Sequence, residues 1–224
     1  MIHIFDVDNT VIKKTSAWYF LQEALSTKII NIFRIRSLPA ALLRYKIGMP
    51  NEDFIEDAVK HFAGIEETII DQTALACFEH RIKRNIYTGA AQLIHDALGR
   101  GEKVIFATSS FHSIVRPIEQ FFGIEGSLAS ILEFRDGITT GKTIGRSIFG
   151  ERKKTAVEEW MVKNEIHPGD VCFYSDSYTD IPLLEICGKP VVVNPDRILA
   201  REAKKHRWEI LHFRKTLGDC DSVH

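Results

Sequence analysis

The apolar positions of the chain follow two patterns that alternate along most of its length. Short, nearly continuous apolar runs, typical of buried parallel strands, lie at residues 2–5, 103–108, 170–175 and 189–193. Apolar residues at the spacing of amphipathic helices lie between or after them, at residues 88–101, 111–123, 151–164, 179–188 and 196–206. A hairpin turning at Asp136-Gly137 and a last short strand at 208–211 complete the pattern. This alternation predicts an α/β fold in which helices cover both faces of a parallel sheet.

Residues 15–84 interrupt the alternation, because they predict helices only. Asn51, for example, is a suitable N-cap for a helix over residues 53–62. We therefore predict two domains. An α/β core is formed by residues 1–14 and 85–224, and an all-helical cap is inserted at 15–84.

Composition and charge exclude few functions. The formal net charge is −1, so no overall electrostatic field favours nucleic acid or a membrane. The four cysteines form no CxxC pair, which argues against a zinc site and against a disulfide framework. The N-terminus has no series of charged, apolar and small residues typical of a signal peptide. We expect a protein of the reducing cytoplasm.

One stretch departs from this even distribution of charge. Residues 24–51 contain no acids and five basic residues, Lys28, Arg34, Arg36, Arg44 and Lys46. A solvated helix face explains them most simply. A docking surface for an acidic substrate or for a membrane, spanning residues 28–46, is the alternative.

Chemically reactive side chains follow the predicted strands at the points where these strands end. Asp6 and Asp8 follow the first strand, and Asp176 and Asp180 follow the strand over 170–175. Because ligands of open α/β sheets bind at the carboxyl ends of the strands, we expect these four carboxylates to share one cleft. A divalent cation would relieve their mutual repulsion, and a set of oxygen ligands suits Mg²⁺.

The same edge of the predicted sheet carries groups that suit a phosphate. The strand over 103–108 ends in Thr108, Ser109 and Ser110, whose hydroxyl and main-chain N–H groups can bind phosphate oxygens. A lysine follows the glycine at 150 and supplies positive charge. With a carboxylate as nucleophile and a second one as proton donor, the set fits phosphoryl transfer through an aspartyl-phosphate.

Four motifs, in order, resemble those of the haloacid dehalogenase (HAD) superfamily in its phosphatase branch. They are DVDNT at 6–10, IFATSS at 105–110, GERKK at 150–154 and YSDSYTD at 174–180. The resemblance spans residues 2 to 211 and implies a Rossmann-like three-layer core with a parallel sheet. An acid at Asp8 is typical of phosphatases and mutases, since dehalogenases of the family lack it and transport ATPases carry threonine there. The helical insert is similar to the cap of the phosphoserine-phosphatase-like group.

The resemblance implies a role for each matching residue. Asp6 would be the nucleophile and a Mg²⁺ ligand, and Asp8 would be the general acid and base with its main-chain carbonyl on the metal. Thr108 would hold a phosphate oxygen, together with Ser109 and Ser110. Lys153, preferred over Lys154 because of its spacing from Gly150, would neutralise the nucleophile and the phosphate. Asp176 would be a metal ligand, and Asp180 would position the metal or Lys153.

The substrate does not follow from the resemblance. Phosphoserine phosphatases of the family bind the amino acid with a glutamate shortly after the first motif and an arginine on a cap helix. The matching positions are Thr15 and the segment 53–62, which contains no arginine. We expect a Mg²⁺-dependent phosphatase acting on a small phosphorylated metabolite. A phosphotransferase or mutase, a phospholipid-headgroup phosphatase and a non-catalytic binding module remain as alternatives.

Overall fold

The computed structural model describes residues 1–30, 59–145 and 147–220. Its main sheet has six strands in the order β3-β2-β1-β6-β7-β8, and every neighbouring pair is parallel. The strands of this sheet are β1 (Ile2–Phe5), β2 (Lys103–Phe111), β3 (Ser127–Ser130), β6 (Val171–Ser175), β7 (Lys189–Val193) and β8 (Glu209–Leu211). The predicted parallel sheet is therefore confirmed.

Helices connect the strands along the described part of the chain. The α-helices are α1 (Ser16–Ser26), α2 (Glu67–Cys77), α3 (Thr88–Gly99), α4 (His112–Phe122), α5 (Glu151–Lys163), α6 (Ile181–Leu184), α7 (Arg197–His206) and α8 (Leu217–Cys220). Short 3₁₀ segments lie at Lys60–Phe62, Lys83–Asn85, Pro168–Asp170 and Tyr178–Asp180, and a π-helical segment lies at Phe78–Ile82. No described helix combines the length and the apolar character needed to cross a membrane.

The strands bury both faces because successive side chains point to opposite sides of the sheet. Phe5, for example, joins the apolar cluster under α3 and α4, whereas the preceding Ile4 joins the cluster under α5, α6 and α7. The same alternation separates Phe106 from Ile105 on β2. Near-continuous apolar runs are thus the sequence signature of the middle layer in this three-layer fold.

The described part of the predicted cap is helical, as expected. Within residues 15–30 and 59–84, the helices α1 and α2 bury apolar side chains in the same cluster that lies under α3 and α4. Of the predicted helix over 53–62, only residues 59–62 are described, and Lys60–Phe62 form a 3₁₀ segment. Its suggested N-cap Asn51 and the basic residues Arg34, Arg36, Arg44 and Lys46 lie outside the described residues.

A two-stranded hairpin of β4 (Leu132–Arg135) and β5 (Ile138–Thr143) follows β3. It turns at Asp136 (φ 51°) and Gly137 (φ 75°), and positive φ at both positions is what a tight two-residue hairpin turn requires. The sequence predicted this turn correctly. The hairpin also pairs with the segment that leads into α2, since the Thr139 N–H donates to the Ile65 carbonyl at 2.9 Å.

Several element boundaries differ from the sequence prediction; the helix expected over 179–188, for example, is a 3₁₀ segment followed by the four-residue α6. β2 continues beyond Thr108 to Phe111, with a register shift between Ala107 and Phe111. Threonine favours the N-cap position, yet Thr88 is the first residue of α3, Tyr87 is the cap, and the Thr88 hydroxyl donates to the Lys215 carbonyl at 3.3 Å. A contact between segments remote in sequence thus takes the hydroxyl that local capping would have used.

Candidate active site

The three neighbouring strands β2, β1 and β6 end at one edge of the sheet, and each carries a predicted site residue. Asp6 directly follows β1, and its N–H continues the ladder by donating to the Tyr174 carbonyl at 2.9 Å. Phe5 lies beside Phe106 of β2 on one side and beside Tyr174 of β6 on the other. This register brings the polar residues after each strand together.

A buried lysine joins two of the acids. Lys153 Nζ donates to Asp6 Oδ1 at 2.9 Å and to Asp180 Oδ2 at 2.8 Å. All three side chains are at most 7% exposed, so the bonds form away from bulk water. Burial by itself would lower the pKa of the Lys153 ammonium, but Asp180 and Asp6 reverse the effect and raise that pKa above its ordinary value. Lys153 is therefore a permanent cation of the site.

A glycine directs Lys153 into the site. Gly150 precedes α5 with φ 55° and ψ −127°, a conformation that side-chain-bearing residues rarely adopt. Lys153 lies in the first turn of α5 and points inward. Lys154, the alternative considered from the sequence, lies 3.8 Å from Glu158 on the outer side of the helix.

Asp180 is held by a second polar contact. The Ser175 hydroxyl donates to Asp180 Oδ2 at 2.6 Å, and its oxygen accepts the Ser177 N–H at 3.2 Å. Asp180 Oδ1 is buried without a hydrogen-bond partner. The carboxylate is thus fixed on one side only, between Lys153 and Ser175.

Asp8 contacts the start of α1. The Ser16 N–H donates to Asp8 Oδ1 at 2.8 Å, and the Ser16 hydroxyl donates to the Ser110 hydroxyl at 2.7 Å. A compact turn sets this geometry, since the N–H groups of Val11 and Ile12 both donate to the Val7 carbonyl. The first helix after β1 therefore connects Asp8 to the end of β2 beyond Thr108.

The segment Thr108–Ser110 lies where the pairing of β2 with β3 is irregular. Irregularities of this kind re-aim side chains and are frequent near active sites. Thr108 is fully buried, and its Oγ1 accepts the Ser110 N–H at 3.2 Å. The predicted role of the Ser110 N–H in binding an anion therefore competes with this internal bond, whereas Ser109 remains partly exposed.

The carboxylates of the site repel one another. Burial raises the pKa of Asp6 to about 7, against the opposing effect of Lys153 and with further contributions from Asp180 and Asp8. Burial also raises the pKa of Asp8, although the bond from Ser16 works against the shift. For Asp176, burial together with the charges of Asp6 and Asp180 raises the pKa well above its ordinary value. One buried lysine thus faces four acids.

This imbalance of charge fits a divalent cation. In the described ranges, no group of three or more His, Cys, Asp or Glu residues is arranged to hold a metal. The set expected from the sequence is of another kind, namely two carboxylates, of Asp6 and Asp176, and the main-chain carbonyl of Asp8. Oxygen atoms alone suit Mg²⁺, which also retains several water ligands. The excess of negative charge and these oxygen donors are compatible with such an ion.

Three polar residues of the site were not singled out from the sequence. Ser16 contacts Asp8, Ser175 contacts Asp180, and Asp196 accepts the Tyr178 N–H at 2.6 Å. Ser175 could have been found, because it ends β6 directly before Asp176. Ser16 and Asp196 belong to later segments of the chain, and only the fold brings them to this edge.

Comparison with known proteins gives consistent matches over nearly the whole chain. The profile of the haloacid dehalogenase-like hydrolase family matches residues 4–185. A phosphoserine phosphatase of Mycobacterium tuberculosis is 29% identical over 94% of this chain and 72% of its own length. A histidinol-phosphatase of Neisseria meningitidis is 28% identical over 94% of this chain and 98% of its own. A crystal structure of a Bordetella pertussis protein of unknown function superposes with a TM-score of 0.85 at 24% identity, covering 94% and 97% of the two chains, and supports the fold.

Proposed function

The chain belongs to the haloacid dehalogenase-like hydrolase family, and we propose that it hydrolyses a small phosphomonoester with Mg²⁺ through an aspartyl-phosphate on Asp6. Its relatives include two named phosphatases of different substrates, so it is a phosphoric monoester hydrolase. The observation that best supports the mechanism is the buried contact of Lys153 with Asp6. It supplies a cation beside the carboxylate on which the phosphoryl group would be carried.

Asp6 is the proposed nucleophile. Lys153 orients its carboxylate through Oδ1, while Oδ2 has no hydrogen-bond partner in the described part of the chain and is available for attack. An oxygen of Asp6 forms a bond to phosphorus as the bond from phosphorus to the ester oxygen breaks. When bound by Asp6, Asp176 and the Asp8 carbonyl, Mg²⁺ would neutralise the charges of the phosphate and of the carboxylates, which lets an anionic nucleophile approach.

Asp8 is the proposed general acid and base. Its raised pKa favours the protonated form, which can donate a proton to the leaving alkoxide. The resulting carboxylate then takes a proton from water as that water attacks phosphorus, which breaks the bond between phosphorus and Asp6 and restores both acids. The Ser16 N–H donates to Asp8 Oδ1 and so helps to orient the carboxyl group that would transfer the proton.

Thr108 and the N-terminus of α4 are the proposed phosphate clamp. The Thr108 hydroxyl accepts the Ser110 N–H, so its own hydrogen is available to donate to a phosphate oxygen. Ser109 and Ser110 precede an eleven-residue helix whose N-terminus favours an anion. Lys153 adds a full positive charge.

We propose that the substrate is a small phosphorylated metabolite other than L-phosphoserine. The two named relatives act, by their names, on phosphoserine and on histidinol phosphate, so similarity to them does not select one compound. Thr15 stands where an amino-acid-binding glutamate would be expected, and its hydroxyl oxygen accepts the Trp18 N–H as the cap of α1. The alternatives are a phospholipid headgroup as the substrate and transfer of the phosphoryl group to a second alcohol, and no contact among the described residues favours either.

The proposal also covers the arrangement of the chain and its location. We place the catalytic core at residues 1–14 and 85–224 and the cap at 15–84. The four cysteines are free thiols, which supports a reducing compartment and hence the cytoplasm.

A phosphatase assay tests the reaction. We expect the protein to release p-nitrophenol from p-nitrophenyl phosphate with Mg²⁺, to stop with EDTA, and to recover when Mg²⁺ is restored. A panel of phosphorylated metabolites, each with and without an acceptor alcohol, then separates hydrolysis from transfer. Activity equal to that of an Asp6→Asn protein, or insensitive to EDTA, would contradict the proposal.

A further inference from the structure

The loop after β7 holds the loop after β6 through one residue, Asp196. The Asp196 N–H donates to the Asp176 carbonyl at 2.9 Å, and Asp196 Oδ2 accepts the Tyr178 N–H at 2.6 Å. These two bonds engage the two peptide units that follow Asp176 in the chain. The main chain on that side of Asp176 is therefore tied to another strand end.

Asp196 itself has a rigid support. Its second oxygen, Oδ1, accepts the N–H groups of Ile198 and Leu199 at 2.8 Å each and so caps α7. Leu199 and Ala203 anchor α7 with fully buried side chains. Because three N–H groups engage the carboxylate, it has little freedom to move.

The side chain of Asp176 has no comparable support. Within the described residues its carboxylate makes no hydrogen bond, and the like charges of Asp6, Asp180 and Asp8 act on it against the attraction of Lys153. No side-chain bond fixes its direction. The position of this carboxylate therefore depends on the backbone that Asp196 holds.

We propose that Asp196 is a positioning residue that presents the Asp176 carboxylate to the cation, an inference that rests on the proposed Mg²⁺-dependent function. The residue touches neither phosphate nor metal. It acts through the peptide units between Asp176 and Tyr178. Removal of groups that orient metal ligands typically weakens metal binding by about 10- to 100-fold.

The substitution Asp196→Asn separates two functions of the side chain, which are to cap α7 and to accept the Tyr178 N–H. Asparagine keeps an oxygen for the Ile198 and Leu199 N–H groups and is as good an N-cap as aspartate. Its amide nitrogen, however, would face the Tyr178 N–H, and two donors cannot bond. We expect faster hydrogen exchange over residues 176–180 in the metal-free protein and a Kd for Mg²⁺, from calorimetry, raised by about 10- to 100-fold.

Asp219→Asn is the matched control. It loses the same charge from a carboxylate that also accepts a main-chain N–H, because Asp219 Oδ2 accepts the Thr216 N–H at 2.8 Å in the C-terminal segment, a bond that the asparagine oxygen can keep. We expect its Kd for Mg²⁺ to stay within about twofold of the wild type. An equal loss of affinity in both variants would mean that charge alone matters, and would overturn the proposal.

Two further results would overturn the inference without touching the proposed function. One is unchanged exchange over 176–180 in Asp196→Asn, and the other is faster exchange with an unchanged Kd for Mg²⁺. Failure of the proposed function would give a different result, because the wild-type protein itself would then bind no Mg²⁺ and release no phosphate. That result would remove the metal role of Asp176 and this inference with it.

Discussion

Asp6 and Asp8 stand two residues apart, yet their carboxylates have different partners. Lys153 donates to Asp6, whereas the main chain of Ser16 donates to Asp8. The cation beside the first carboxylate opposes the rise in its pKa and so favours the ionised form that attacks, whereas a neutral N–H leaves the second able to carry a proton. The different surroundings explain why the motif contains two acids of the same type.

Substitution of each acid should separate these roles. Asp6→Asn should abolish turnover of every substrate, because an amide cannot form the acyl-phosphate. Asp8→Asn should lower kcat by about 10²- to 10⁴-fold on an alkyl phosphate and much less on p-nitrophenyl phosphate, whose leaving group needs no proton. Steady-state kinetics on both substrates measures the difference. Equal losses for Asp8→Asn on the two substrates would contradict its proton-transfer role.

Lys153 and Lys154 provide a matched pair of adjacent lysines. Lys153→Ala removes the buried cation between Asp6 and Asp180, so we expect kcat to fall at least about 100-fold and the melting temperature to fall as well. Lys154→Ala removes only a surface ion pair with Glu158, whose charged atoms are 3.8 Å apart and which is worth well under about 1 kcal/mol. Activity and thermal melting of both variants test this. Comparable losses in the two would refute the assignment.

The acids of the site were predictable one by one, but their contacts were not. Each follows an apolar run, and strand ends share an edge in a parallel sheet, so their convergence could be expected. Spacing from Gly150 favoured Lys153, and the contacts with Asp6 and Asp180 agree with that choice. Asp196 could not be found this way, since its role depends on the pairing of β7 beside β6 and on no local pattern.

At the scale of elements, two irregular stretches of backbone lie next to the site. The pairing of β2 shifts between Ala107 and Phe111, and Gly150 precedes α5 in a conformation that favours glycine. Apolar runs predicted that the strand and the helix exist, whereas the shift in β2 has no pattern of its own. For this reason the sequence placed the end of β2 three residues too early.

Gly150 connects element geometry to catalysis. Gly150→Ala should destabilise the protein by about 1 to 3 kcal/mol, because alanine is strained at φ 55° and ψ −127°. We also expect a lower kcat, since relief of the strain would rotate the first turn of α5 and displace Lys153. Urea unfolding and the phosphatase assay measure the two effects.

Gly99→Ala is the control for this substitution. Gly99 ends α3, where an added Cβ would meet no atom within 4 Å, so alanine should leave the stability unchanged or raise it slightly. If Gly150→Ala were as stable and as active as Gly99→Ala, the conformation at Gly150 would have no part in directing Lys153.

At the scale of the whole molecule, the order of the strands assembles the site. From β1 the chain proceeds to β2 and β3 on one side of the sheet and later to β6, β7 and β8 on the other. The direction reverses at β1, and ligands of open α/β sheets bind at such a switch point. The alternation of strands and helices predicted a parallel sheet. It could not predict the order of the strands, because that order depends on pairing between distant segments.

A buried acid joins α1 to the π-helical segment Phe78–Ile82. Glu23 is 5% exposed and accepts from Arg81 Nε at 2.6 Å and from His80 Nδ1 at 3.0 Å, both in the π-helical segment. Burial alone would raise the pKa of Glu23, but the bonds and charges of His80 and Arg81 outweigh it and lower that pKa below the ordinary value of 4.5. This pair contributes to folding only while Glu23 is ionised.

The contribution of Glu23 should therefore disappear in acid. A carboxylate with a lowered folded-state pKa stabilises the protein above its unfolded value, and this stabilisation is lost as the pH falls below about 4.5 and through the folded pKa. Glu23→Gln should lower the free energy of unfolding at pH 7 by about 1 to 3 kcal/mol. Its stability should then approach that of the wild type as the pH falls. Urea unfolding between neutral pH and pH 3 measures both curves.

The control Glu79→Gln loses only an exposed pair with Lys83, and its free energy of unfolding should change by about 0.5 kcal/mol or less. If the wild-type and Glu23→Gln curves stayed parallel down to pH 3, the contacts of Glu23 with His80 and Arg81 would not stabilise the protein in the way that the structure indicates.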